Sequence, residues 1–534
     1  MEQPILNGLI TYNAEGCYPW HMPGHKKRLS TIFPDQINNP FLIDATEVGN
    51  LDEFHHPEGI IKEALTRAAQ IYGSDKSYYL VNGSTCGILA AISAVCKQGD
   101  TLIVARNCHK SVYHAIRLLR LKPVYICPDW NEQLGMFGGL SPELVKKTIK
   151  EHPFAKAVIM VSPTYEGVVS DVEKISKIAH KSKIPVIVDA AHGAHFEFMA
   201  NVRETISTTN YDTVPDPAIR LGADVVVESL HKTLPAMTQC AICHIKSNLI
   251  SKERLEEYLT IYQSTSPSYV FMATMEACIE KMDHERDGLC ISYKHLLAEY
   301  RKKFDQLKHI HLVGESDFKK HNIYDYDDGK LVFSVADCGI LKEDALIPVT
   351  GFMLGTMLSE EYGQMMEMAA GSYVIAMTSV ADTKEAFEAL YQAMEAIDGQ
   401  LTIIEKIADS NKEEVTVALK RRKKRGKKVT NDTAVSYARI PEKRMSIAEA
   451  IESAHMNVSF MEAAGRVSGD YVYIYPPGIP IITPGEVFSR ETIREIELAL
   501  RNGLNVKGVV KKGKHDAQLC VIKEGRWRSK LFNS

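Results

Sequence analysis

A chain of 534 residues is long enough for two or three packed domains, and 45% apolar residues supply cores for them, which excludes a disordered protein. Its 63 basic against 67 acidic residues leave a formal charge of -4, so no global charge draws it to nucleic acid or an anionic membrane. The N-terminus lacks a basic, apolar leader, and no later segment has an unbroken apolar run of bilayer-spanning length, so a cytoplasmic protein is expected.

From Pro57 to Tyr72, residues Ile60, Ile61, Ala64, Leu65, Ala68 and Ile71 recur at helical spacing, with Pro57 near the start and Gly73 as the stop. Helical patterns at 86–98, 111–120, 142–151 and 171–182 then alternate with short apolar runs at 101–105, 124–127, 157–161, 186–188 and 223–227. That alternation predicts an α/β chain with a largely parallel sheet covered on both faces. Cys240 and Cys243 have the spacing of a redox or zinc half-site, but in an extended strand they point to opposite faces. The odd total of eleven cysteines also fits reduced, buried thiols better than a disulfide framework.

A helix beginning near Ser251 and a long helical stretch over about 270–309 lead into a smaller α+β region, with a strand at Lys330–Val335 and helices near 343–361 and 383–397. The basic run 420–428 lacks interleaved aromatics and reads as a solvated linker at a change of composition rather than a nucleic-acid patch. Beyond it, a helix from Ser446, a Pro-Gly-rich segment at 473–486 and a helix opened by Ser489 and ended near Gly503 make a third module.

Largely parallel sheets bind ligands at the carboxyl ends of their strands. The residues just after the apolar runs are Asn107-Cys-His-Lys110, Ser162-Pro-Thr-Tyr165, Asp189-Ala-Ala-His192 and Ser229-Leu-His-Lys232, all polar and chemically capable. Lys232 is placed as a reactive lysine would be, because an amine among apolar walls has a depressed pKa and condenses with an aldehyde. Ser84 and Thr85 in Asn82-Gly-Ser-Thr-Cys-Gly87 open an apolar helix and can cup a phosphate, although an ordinary N-cap has the same signature. Asp189 ends an apolar run, where a carboxylate either pairs with a cation such as a protonated pyridine nitrogen or caps the next segment.

His109 offers a flat face to a ring, or is a hydrogen-bonded structural histidine. His192 and His195 have the spacing of two metal ligands, but no third ligand follows at convincing spacing. A cofactor contact for His192 and a supporting role for His195 are therefore preferred, and no metal is expected. A lysine for an aldehyde, a phosphate cradle, an anion for a pyridine nitrogen and a flat surface for a ring are together what pyridoxal 5'-phosphate (PLP) requires.

The whole set resembles the ornithine/lysine/arginine decarboxylase family of fold type I PLP enzymes, in its short form without an N-terminal wing domain. The matching segments are Met22-Pro-Gly-His-Lys26, Gly49-Asn-Leu-Asp-Glu-Phe-His-His-Pro57, Asn82-Gly-Ser-Thr85, Arg106-Asn-Cys-His-Lys-Ser111, Asp189-Ala-Ala-His-Gly-Ala-His195, Glu228-Ser-Leu-His-Lys-Thr233 and Tyr475-Pro-Pro-Gly-Ile-Pro-Ile-Ile-Thr-Pro-Gly-Glu486. They span nearly the whole chain. The resemblance implies an aspartate-aminotransferase-like large domain with a mostly parallel sheet, a smaller α+β domain and a C-terminal module. The expected boundaries are an N-terminal arm at 1–30, the PLP-binding domain at 31–300, the small domain at 301–415, a basic linker at 416–445 and the C-terminal decarboxylase module at 446–534.

Position by position, the resemblance implies Lys232 as the Schiff-base lysine, Asp189 on the pyridine nitrogen and His109 over the ring, with Ser84, Thr85, Ser229 and His231 on the phosphate. It implies decarboxylation of a basic amino acid, arginine or lysine before ornithine, through an external aldimine and a quinonoid. It also implies a homodimer or larger even assembly, with the Met22–Lys26 segment a candidate to reach the neighbouring subunit; no nucleic acid or membrane partner is expected. Glu47, Asp52, Glu53 and Glu367 are candidates for the substrate's distal cation.

Two alternatives stand beside this reading. Aminotransferases of the fold clamp the substrate carboxylate with a small-domain arginine, and the absence of arginine between Arg301 and Arg421 favours decarboxylation over transamination. A nucleic-acid-binding regulator on a degenerate enzyme scaffold would use the basic linker, but the intact Lys232 and Asp189 count against it.

Overall fold

The computed structural model describes residues 3–27, 39–200, 214–342, 345–403, 439–475, 478–501, 503–511 and 517–523; the basic run 420–428 lies outside them. Seven strands form the main sheet: β1 (Lys76–Leu80), β2 (Thr101–Ala105), β3 (Lys122–Ile126), β4 (Val158–Val161), β5 (Val186–Asp189), β6 (Val225–Glu228) and β7 (Ala241–Ile245). Their order across the sheet is β1-β7-β6-β5-β4-β2-β3. Six strands are parallel, and β7 alone runs antiparallel to its neighbours β6 and β1. The largely parallel, two-sided sheet expected from the alternation is therefore present. Its central strands are buried along their whole length, as continuous apolar runs between two helical layers must be.

One face is covered by helices α2 (Gly83–Val95), α3 (Lys110–Leu118), α4 (Pro142–Glu151) and α5 (Val172–His180). The other packs on α1 (Ile60–Tyr72) and on the helices Tyr269–His284 and Arg286–Phe304. Local chemistry fixes the ends of these helices. Gly73 closes α1 in the left-handed region at φ 64°, and Ser141, Asp171 and Ser251 accept backbone N–H groups at the starts of α4, α5 and the helix Lys252–Tyr262. All eleven cysteines are unpaired thiols, most of them buried, as the odd total suggested.

Two expected helices differ. The stretch near 270–309 is broken at Glu285, which leaves the helical region at ψ 15° and ends one helix as it begins the next. The helix expected near 343–361 spans only Gly351–Tyr362, because Ala345–Pro348 pairs as a strand with Cys338–Lys342 and Thr350 supplies the cap.

The smaller α+β region holds a four-stranded antiparallel sheet in which Lys330–Ser334 and Tyr373–Met377 are central, backed by Lys384–Asp398. The N-terminal strand Tyr18–Trp20 pairs in parallel with Gln364–Met366 and so ties the start of the chain to this region. In the C-terminal part, Ile479–Ile482, Val472–Ile474 and Val506–Lys507 form one small sheet, and His455–Ser459, Ala517–Ile522 and Val509–Lys511 another, with the helix Arg490–Arg501 packed on their common core.

Candidate active site

Strands β6, β5, β4 and β2 are consecutive in the sheet, and their carboxyl ends lead into Ser229–Lys232, Asp189–His192, Ser162–Tyr165 and Asn107–His109. Parallel pairing brings all four polar groups, scattered over more than a hundred residues of sequence, to one edge.

Lys232 rides on the short helix Leu230–Thr233 that follows β6, and its Nζ is 3.0 Å from Nε2 of His192. The ring of Tyr165 contacts that imidazole in a tilted arrangement, 4.6 Å between centroids and 59° between planes. Burial drives the Lys232 amine below its ordinary pKa, opposed by the negative charges of Asp189 and Glu367 and assisted by Lys330. Burial, Lys232 and Lys330 also hold His192 well below the usual histidine range. An amine whose pKa is lowered, 3.0 Å from an imidazole whose pKa is lowered as well, has a proton partner at hand.

Asp189 is 5% exposed and accepts one backbone hydrogen bond, from Ala191 at 3.2 Å. Burial raises its pKa, and the charge of Lys232 works against that. A carboxylate so enclosed is best satisfied by a cation on its open side. His109 caps α3, where its Nδ1 accepts from the Ser111 amide at 3.3 Å; burial, with Lys232, Lys110 and His114, lowers its pKa to about 3. It is thus a neutral, flat ring, and the neighbouring Asn107 Oδ1 is buried without a hydrogen bond.

The hydroxyls of Ser84, in the first turn of α2, and Ser229 hydrogen-bond to each other. Thr85 is exposed on the same turn. His231 donates from Nδ1 to the Cys240 carbonyl at 2.9 Å, and burial lowers its pKa to about 4, leaving Nε2 as its second polar atom. Two hydroxyls at a helix N-terminus form a cradle suited to a phosphate. These observations fit PLP: a pair of hydroxyls at a helix start, a buried carboxylate, a neutral flat ring and an amine of lowered pKa lie at the carboxyl ends of neighbouring strands.

Other expected residues divide. His195 pairs with a small-region carboxylate: its Nε2 is 3.2 Å from Asp327 Oδ1. Glu367 accepts from the Tyr165 hydroxyl and from the Met22 amide at 2.9 Å, which sets it beside the site. Asp52 instead accepts the amides of Glu58, Gly59 and Ile61 at the start of α1, and Glu47 that of Phe54. The Met22–Lys26 segment packs on the Lys232 turn of its own chain. Gly24 donates to the His231 carbonyl at 2.8 Å, and a Cβ there would stand 2.5 Å from the Leu234 carbonyl.

Sequence reasoning passed over two lysines. Lys26 is buried and donates to the carbonyls of Pro19, His21 and Met377. Lys330, 1% exposed, has its ammonium 3.7 Å from Asp327 Oδ2. Both belong to segments singled out for other reasons, a motif and a strand, and nothing in their spacing marks the lysines themselves.

Comparison with known proteins identifies the family and the fold. The family model for the Orn/Lys/Arg decarboxylase major domain matches residues 3–387, and that for the Orn/Lys/Arg decarboxylase C-terminal domain matches residues 430–501. The chain is 30% identical over 526 residues to an arginine decarboxylase of Bacillus subtilis, covering 98% of both chains. It is 29% identical over 510 residues to an arginine decarboxylase of Bacillus anthracis, covering 95% of both. Among solved structures, the E. coli constitutive lysine decarboxylase aligns over 98% of this chain and 82% of its own, with a TM-score of 0.71 at 19% identity. The architecture is accordingly the aspartate-aminotransferase-like, fold type I one.

Proposed function

The chain belongs to the Orn/Lys/Arg decarboxylase family, and from that premise we propose that it is a PLP-dependent decarboxylase of arginine, with lysine next and ornithine third, releasing CO2 and the corresponding amine. The observation that carries the proposal is the convergence of Lys232, His192 and Asp189 at the ends of β6 and β5. Arginine comes first because the two relatives at 29% and 30% identity bear that name.

Lys232 is the amine that would bind the aldehyde of PLP, Asp189 would face its ring nitrogen, His109 its flat face, and Ser84, Ser229 and His231 its phosphate, with Thr85 at the cradle's exposed rim. When bound, PLP supplies an electron sink for the bond broken at the substrate's α-carbon. The chain's own task is then to direct which bond breaks and to return a proton. Lys232 Nζ, 3.0 Å from His192 Nε2, can hold that proton and pass it to the α-carbon once CO2 has left. His192 is buried and Lys232 half-buried, which limits the access of water that would otherwise compete as a proton source.

Glu367, fixed by Tyr165 and Met22 and only partly exposed, is the acidic candidate that lies beside Lys232, and we assign it the substrate's distal cation. Arg301, the arginine nearest in sequence to the small-region sheet, is buried and donates to the carbonyls of Asp328 and Val313. Its engagement there favours loss of the substrate carboxylate over its retention in transamination.

We also read the N-terminal helix Pro4–Ala14 as a contact between two copies. None of its residues is buried, and it exposes Ile5, Leu6, Leu9 and Ile10 on a helix too short to be stable alone. The test of function is purified protein with PLP incubated separately with arginine, lysine and ornithine, measuring CO2 and amine. Agmatine with CO2 from arginine supports the reading, whereas a keto acid without CO2 would replace it by transamination.

A further inference from the structure

Among the described residues, the C-terminal part of the chain reaches the strand-end site at the edge of His109. On its other edge that imidazole is held by Ser111, whose hydroxyl is 3.0 Å from Nδ1. Opposite, Gly478 sits so close that a Cβ added to it would stand 3.3 Å from His109 Cδ2 and 3.5 Å from Nε2. Gly478 is at φ +89°, a conformation side chains rarely adopt, so both its backbone and its neighbour call for glycine.

The chain on either side of His109 is clamped from the same direction. Arg106 Nη2 is 3.0 Å from Glu486 Oε2, and both side chains are 1% exposed. Arg106 also donates to the Ile481 carbonyl at 3.4 Å, while Glu486 accepts the Thr483 amide at 2.7 Å. Lys110, the residue after His109, has its ammonium 5.6 and 5.5 Å from the ring centroids of Tyr473 and Tyr475.

We infer that the C-terminal region forms the back wall of the cofactor site, with Gly478 a positioning residue that sets the plane of His109 and the Arg106–Glu486 pair the latch that holds the wall in place. The inference rests on the reading of His109 as the ring-facing residue. A buried ion pair three residues before His109 costs desolvation on both sides, and its geometry is met only when the C-terminal region is docked. Docking therefore also fixes the start of α3, and with it the imidazole.

The test is a double-mutant cycle on full-length apoprotein, titrated with PLP alone and followed by absorbance. Gly478→Ala is expected to weaken PLP binding on the order of tenfold. Gly503→Ala, at a comparable φ of +77° with open space around it, controls for backbone strain and is expected to stay within about twofold of the parent. In a His109→Ala background, Gly478→Ala should add nothing. Glu486→Gln, which loosens the latch without touching His109, should repeat both results and decides the matter should Gly478→Ala not fold.

Unchanged PLP affinity in both Gly478→Ala and Glu486→Gln, with His109→Ala weakened, overturns the inference alone. Losses that multiply in the double variants also overturn it. Parental affinity in His109→Ala overturns the inference together with the reading of His109 beneath it.

Discussion

Lys232 is held between opposing influences, and their balance decides its chemistry. Removal from water lowers the amine's pKa, Asp189 and Glu367 raise it, and Lys330 lowers it again. Lys232→Ala is expected to abolish turnover and the yellow colour of the PLP-loaded protein while shifting stability by only about 1 kcal/mol, as chemical denaturation would register. Asp189→Asn, which keeps shape but removes charge, should leave PLP bound more weakly and turnover strongly reduced.

The histidines give a pH signature. His109 and His231 have folded pKa values near 3 and 4, below the ordinary histidine value, so between there and about pH 6.5 the unfolded chain binds more protons than the folded one. Their contribution to stability is complete above the unfolded value and is lost as pH falls, with a slope of about 1.4 kcal/mol per pH unit for each. Denaturation of the apoprotein from pH 7 to 4 checks this, and replacing His231 by Asn should flatten the slope.

At the scale of elements, the site depends on turns pressed against each other. Gly24 lies against the helix that carries Lys232, and Gly24→Ala forces its Cβ into the Leu234 carbonyl. A displacement of the reactive amine follows, and a fall in kcat of roughly a hundredfold is expected from misplacement on the ångström scale. Glu486→Gln would leave the Arg106 guanidinium buried without its counter-charge, a loss of about 3–5 kcal/mol readable in urea unfolding.

The same elements explain what the sequence reveals. Helices α4 and α5 and the strands that alternate with them were legible because each carries its own period and cap, and the strand-end rule then brought Lys232, Asp189, His192 and His109 forward. The break at Glu285 has no Gly or Pro at the break itself; the nearest, Gly288, lies in the first turn of the next helix. The strand Ala345–Pro348 exists because Cys338–Lys342 pairs with it, a partner no local pattern names. Arg106 and Glu486 lie in segments the family resemblance singled out, yet their contact spans 380 positions and is set only by folding.

At the scale of the molecule, three regions meet at one site: the main sheet supplies Lys232 and Asp189, the small region supplies Glu367 and Lys330, and the C-terminal region supplies Gly478. The exposed apolar helix Pro4–Ala14 should join a second copy. Size-exclusion chromatography with light scattering is expected to give a dimer or an even multiple, and Leu9→Glu should shift it toward the monomer. The most direct measurement is borohydride reduction of the PLP-loaded protein followed by peptide mapping. A single pyridoxyl adduct on Lys232 is the expected result; an adduct on Lys26 or Lys330 instead, or none at all, would contradict the account.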